Sequence, residues 1–189
     1  MPPRKHGEWI RWGVSLLAGA VLMFALEGVR NRSQKAELRR DTHQRLLRVS
    51  SEYAAAATLM MDIRVASYAC RVRLKLGGPQ DNVEYDRQYS NDANEMLPRV
   101  TSLQSELREI LAVIPIRFRL TQDAAQRLET LKRNDLPGLS ASDLAILDAA
   151  QTVENVGERE VRLEGLLSRR RCVFEATVDQ LAEALAAQL

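Results

Sequence analysis

Residues 30–76 contain neither glycine nor proline, an unbroken run of 47 positions. Within it Leu46, Val49, Tyr53, Ala56, Met60, Ile63, Ser67, Cys70 and Leu74 follow one another at steps of three and four. That rhythm lines one face of a helix and has no counterpart in a strand, whose faces alternate every two residues. Four heptads of it describe a long helix seeking helical neighbours. The run closes on Gly77-Gly78-Pro79, a strong stop signal.

The remaining sequence repeats the theme. A second helical segment starts near Asp81, and Met96, Val100, Leu103, Leu107, Ile110 and Ile114 carry its seam. Thr121, Ala124, Leu128 and Leu131 resume the seam after a break. Pro98 and Pro115 each remove a backbone donor and favour a kink. Asn134-Asp135-Leu136-Pro137-Gly138 reads as a turn, after which Ser140 or Ser142 can cap a last helix with the stripe Leu163, Leu167, Phe174, Val178, Leu181 and Leu185. Gly157 and Gly165 weaken that helix locally. The expected fold is all-α, an elongated antiparallel three-helix bundle or coiled coil of helices of about 47, 55 and 49 residues. A four-helix bundle, with the chain reversing at Ile114–Phe118, is the alternative.

Ahead of this domain, residues 9–29 read as a single membrane-spanning helix. Trp12–Leu26 is uncharged but only 15 residues long. It approaches the roughly 20 residues a bilayer demands if Arg11 and Glu27 sit at its edges and extend toward water. Leu16, Leu17, Val21, Leu22, Phe24 and Leu26 would face lipid, and Trp9 and Trp12 fit an interfacial aromatic belt. No A-x-A cleavage pattern follows the apolar run, so an uncleaved anchor is expected rather than a signal peptide. The expected organisation is a tail (1–8), an anchor (9–29) and a helical domain (30–189). Arg30, Arg32, Lys35, Arg39 and Arg40 follow the anchor and suit lipid head groups; the interleaved Glu37 and Asp41 also suit a solvated face. Positive charge nearly balances across the span. A short tail ahead of a signal anchor normally stays inside, which places the domain outside the cytoplasm, in the periplasm of a bacterial envelope.

The residues for catalysis are scarce. Only His6 and His43 are present, so neither a carboxylate-bridged di-iron bundle, a zinc site nor a Ser-His-Asp arrangement finds its parts. Gly77-Gly78-Pro79 lacks the lysine of a phosphate loop. No catalytic residue, metal or cofactor is expected. Net charge is +2 and Arg169-Arg170-Arg171 has no interleaved aromatics, so nucleic acid is not an expected partner. Asp81, Glu84, Tyr85, Asp86 and Tyr89 form the candidate partner face, with Asp92 and Glu95 extending its acidity. The stripe geometry turns Cys70 inward and leaves Cys172 an exposed thiol. Together these features describe a membrane-tethered, non-enzymatic interaction or assembly protein. Its partners would be membrane lipid, an unidentified protein, or a second copy of the chain. A sensory or ligand-binding bundle, similar in general outline to those of bacterial chemoreceptors, is the alternative; it would need a separate signalling partner, because no second membrane span follows. A phage-type inner-membrane spanin shares the anchor and basic helix, although no motif here makes that match.

Overall fold

In the computed structural model the backbone is described for residues 6–133 and 139–189, and side chains for residue 23 and from residue 27 onward within those ranges. The described residues form five helices and no strand: α1 (His6–Lys75), α2 (Asn82–Arg117), α3 (Gln122–Arg133), α4 (Ala141–Asp148) and α5 (Val153–Ala186). The expected turn Asn134–Gly138 lies outside the described residues. The chain divides into two units, residues 1–41 and 42–189.

In the first unit the backbone is helical from His6. Among the described residues no helix is long and apolar enough to cross a membrane. The side chains of Trp9, Trp12, Leu16, Leu17, Val21, Leu22, Phe24 and Leu26 lie outside the described residues. Arg30, Arg32, Lys35 and Arg40 are exposed and Arg39 is half-buried.

The second unit is an up-down-up-down bundle. Ion pairs and hydrogen bonds set its register. Arg71 meets Asp86 and Arg45 meets Glu106, so α2 descends along α1. Arg73 meets Glu160, Tyr53 stacks on Phe174 and His43 reaches the Ala182 carbonyl, so α5 descends too. Between them α3 and α4 climb. The Arg119 backbone pairs with the Gln188 side chain at one end, and the end of α4 meets α1 through Tyr68 and Asp148 at the other.

The middle region is therefore not one long kinked helix. α2 runs through Pro98 and ends two residues past Pro115, where Phe118 turns extended and buries its ring. Thr121 then receives the Ala124 N–H and starts α3 in the opposite direction. Nor does one helix run from Ser140 to the C-terminus. Ser140 caps α4 with a reciprocal capping box to Asp143, but α4 lasts eight residues, and Thr152 caps α5 afresh. Gly157 and Gly165 sit in open space and α5 passes through both.

A wide apolar arc on α1 explains the fourth element. Leu46, Val49, Tyr53, Ala56, Met60, Ser67 and Cys70 of the first seam are buried, while Ile63 and Leu74 are half-buried. A second row, Ala54, Ala57, Met61, Val65, Ala69 and Val72, is buried as well. Two rows need more neighbours than a single coiled-coil seam supplies. The edge-to-face Tyr53–Phe174 pair, centroids 5.9 Å apart, fixes α1 to α5 near mid-height and contributes about 1 kcal/mol beyond its buried area. At the top the α1–α2 turn closes as a Schellman motif. Gly78 N–H bonds Arg73 O, Gly77 N–H bonds Leu74 O, and Gly77 takes φ +80°. A Cβ at Gly78 would stand 2.8 Å from the Arg73 carbonyl oxygen.

The second row makes a direct prediction. Met61→Asp should cost about 4 kcal/mol of unfolding free energy in urea, because it buries an unpaired carboxylate. Leu59→Asp, at a residue 53% exposed, should change it by less than about 0.5 kcal/mol. Equal costs would contradict the wide arc.

Candidate functional site

The apolar core has two parts. Toward the Thr42 end, all four legs of the bundle contribute to one cluster, which includes Leu46, Leu107, Leu128 and Leu181. Toward the α1–α2 turn, the cluster of Met61, Val65, Ala69, Val72, Leu147, Val156, Leu163 and Leu167 draws on α1, α4 and α5 but not on α2. The first half of α2 buries only Asn82 and Ala93. It is held to α1 by a polar seam instead. Ser67 Oγ donates to Asp86 Oδ1 at 2.6 Å, and Arg71 Nε donates to both Asp86 oxygens at 2.9 and 3.0 Å. Arg71 Nη2 also reaches Ser90 Oγ at 3.1 Å. Burial alone would raise the Asp86 pKa, but the hydrogen bonds from Ser67 and Arg71 outweigh it and hold the carboxyl below its ordinary value.

A groove opens on each side of this seam. The first, about 380 Å³, lies where α1, α2 and the start of α5 meet, and Cys70, Arg73, Tyr85, Tyr89, Val153 and Glu160 line it. The Arg73–Glu160 ion pair, 2.5 Å between Nη2 and Oε2, frames it. Burial pushes the Cys70 thiol pKa up, so the thiol is protonated and poorly nucleophilic. Tyr85 and Tyr89 continue the inward seam of Met96, Val100, Leu103 and Leu107, yet Tyr85 is 52% exposed. The second groove, about 370 Å³, lies between α1, α2 and α4. Arg64, Ser67, Tyr68, Arg71, Ser90, Ala93, Asn94, Leu139 and Leu144 line it.

The candidate partner face is therefore split three ways. Tyr85 and Tyr89 face the first groove. Asp86 is used inside the polar seam. Asp81 and Glu84 are exposed and share an outer surface of α2 with Arg87, Asp92 and Glu95. A helix turns about 100° per residue, so Asp86 points roughly 100° away from Tyr85 and roughly 160° away from Glu84. Arg169-Arg170-Arg171 is also divided: Arg170 binds Asp143, Arg171 binds Glu175, and Arg169 is exposed. Cys70 and Cys172 are free thiols, the first buried and the second exposed.

Sequence reasoning missed a bidentate ion pair that ties α4 to α5. Asp143, 3% exposed, accepts Arg170 Nη2 on Oδ1 at 2.6 Å and Arg170 Nη1 on Oδ2 at 2.8 Å, while the Ser140 backbone N–H donates to Oδ2 at 2.9 Å. The Arg170 pair, set against burial and helped by Ser140, holds this carboxyl far below the usual carboxylate range. The signal was Ser140-x-x-Asp143, a capping box that uses Asp in place of Glu. Among the described residues no group of three or more His, Cys, Asp or Glu side chains could hold a metal ion, and no buried side-chain nitrogen or oxygen lacks a partner. No protein-family model matches the chain, and neither a characterised protein nor a solved structure matches it.

Because Asp143 titrates lower in the folded than in the unfolded chain, its contribution is complete above the unfolded pKa of about 4 and falls away as the pH drops below it. Asp143→Asn should cost about 2 kcal/mol at pH 7. The gap between variant and wild type in urea midpoints should narrow steadily between about pH 5 and pH 2. A gap independent of pH would show that the Arg170 pairing is not its source.

Proposed function

We propose that this chain is a membrane-tethered helical interaction module without enzymatic activity. Residues 9–29 act as the anchor, the basic stretch Arg30–Arg40 rests on lipid head groups, and the bundle lies outside the cytoplasm. The observation that carries the interaction half is Tyr85. It continues the apolar seam of α2 past the point where the bundle can cover it, and it stands half exposed over a groove of about 380 Å³. Aromatic side chains over such depressions are the usual anchors of binding hot spots, worth about 2 kcal/mol or more each. The exposed carboxylates Asp81, Glu84 and Glu95, with the half-buried Asp92, favour a partner with basic residues at the rim of the adjoining surface. A second reading, a ligand-binding bundle, draws support from the polar groove lined by Arg64.

The test is capture of partners from solubilised envelopes with the full chain as bait, wild type against Tyr85→Ala, after circular dichroism has established equal helicity. The proposal expects a discrete partner retained by wild type and reduced about tenfold or more by Tyr85→Ala. A partner unaffected by Tyr85→Ala contradicts the assigned surface, and release of the chain from membranes by alkaline carbonate contradicts the anchor.

A further inference from the structure

The groove between α1, α2 and α4 has a charge pattern that its own side chains do not satisfy. Two arginines of α1 line it, Arg64 and Arg71, seven residues apart and thus on one face of the helix. The Arg71 charge is neutralised by Asp86 at 2.9 Å. The Tyr68 hydroxyl is spent on Asp148, to which it donates at 2.7 Å. Among the described residues no ion pair joins Arg64 to an acidic side chain, although it is half-buried and lines the groove beside Ser67, Arg71 and Ser90 of the polar seam. A guanidinium cannot discard its proton to relieve partial burial, so its charge persists whether or not it is matched.

The rest of the lining says what would match it. Asn94 supplies an amide with both donor and acceptor capacity. Leu139, Leu144 and Ala93 supply an apolar wall. One uncompensated guanidinium beside that wall suits a single negative charge attached to an apolar body. The planar fork of arginine fits a carboxylate with two parallel hydrogen bonds. A dianion would find only half its charge answered, and a neutral molecule would leave Arg64 unmatched. The volume, about 370 Å³, is at the lower end of small-molecule sites.

We propose that this groove binds a small apolar monocarboxylate, with Arg64 as the carboxylate-binding residue and the α4 side as the wall for its apolar part. The site stands apart from the Tyr85 groove, across the polar seam, so partner capture and carboxylate binding can fail independently.

Benzoate is the probe, titrated into the isotopically labelled full chain and followed by amide and side-chain shifts. Binding should saturate with a dissociation constant of about 1 mM or tighter, as expected for one charge-assisted contact and a small apolar body. The shifts should centre on Ser90, Ala93, Asn94 and Leu144. Benzamide, the same shape without the charge, should bind about tenfold more weakly, and so should inorganic phosphate. Arg64→Gln should lose about tenfold in benzoate affinity, and Arg64→Lys, which keeps the charge but not the fork, should fall between. Unchanged helicity and urea midpoint in both variants will separate a lost contact from a lost fold. Absence of saturation, equal binding of benzamide, tighter binding of phosphate, or undiminished binding by Arg64→Gln would each overturn the proposal.

Discussion

The breadth of the apolar arc on α1 is the constraint on which the rest of the bundle depends. A helix with one seam can be satisfied by a single neighbour or by two at its flanks. From Leu46 to Val72, α1 buries two parallel rows, and the second contains Met61 and Val65, at 2% and 0% exposure. Burying a side chain of that size stabilises by about 2 kcal/mol, so leaving the second row in water would cost more than such a domain can spare. α2 and α5 flank the first row. The second row requires a further ascending leg, and that leg exists only because the chain turns back after Phe118.

That leg is made of two short helices, and much of the domain's character follows from this. α3 buries three residues, Ala124, Leu128 and Leu131, and α4 buries Asp143 and Leu147. Neither would be stable as an isolated helix of such length. Each is held by its ends and by its neighbours: Thr121 caps α3, and Ser140 with Asp143 caps α4 while Arg170 clamps it to α5. Toward the turn, α4 supplies the apolar cover for α1 and α5, which frees the first half of α2 from the core. That half is then held by Ser67, Arg71, Asp86 and Ser90. A seam of hydrogen bonds leaves more open volume beside it than interdigitated leucines do, and both grooves lie along it.

Much of this could be read from the sequence, and the exceptions have physical causes. The helical class follows from the three-four spacing, and the α1–α2 turn from Gly77-Gly78-Pro79. The inward stripe of α5 was equally visible, since Leu163, Leu167, Phe174, Val178, Leu181 and Leu185 are all buried. The three-helix expectation came from matching segment lengths, which ignored the second row of α1. Ala54, Ala57 and Ala69 carry little hydrophobicity individually, so the row hardly registers until a neighbour is packed on it. The reversals after Phe118 and Ala149 contain no glycine; their signals are the single hydroxyls Thr121 and Thr152. The residues of the candidate partner face are close in sequence, but helical rotation sends Tyr85, Asp86 and Glu84 toward different surroundings. The Asp143–Arg170 pair joins residues 27 positions apart on separate helices, and only the fold brings them together.

The direction of α5 is the sharpest discriminator, because an up-down-up bundle and an up-down-up-down bundle place its end at opposite poles. A nitroxide attached at Ala186→Cys in a chain with Cys172→Ser, read through paramagnetic broadening of backbone amides, measures it directly. A descending α5 gives strong broadening of the amides of Thr42–Leu46, beside the Ala182 carbonyl that His43 contacts, and none at Val72–Leu76. Broadening at Val72–Leu76 with Thr42–Leu46 untouched would contradict it.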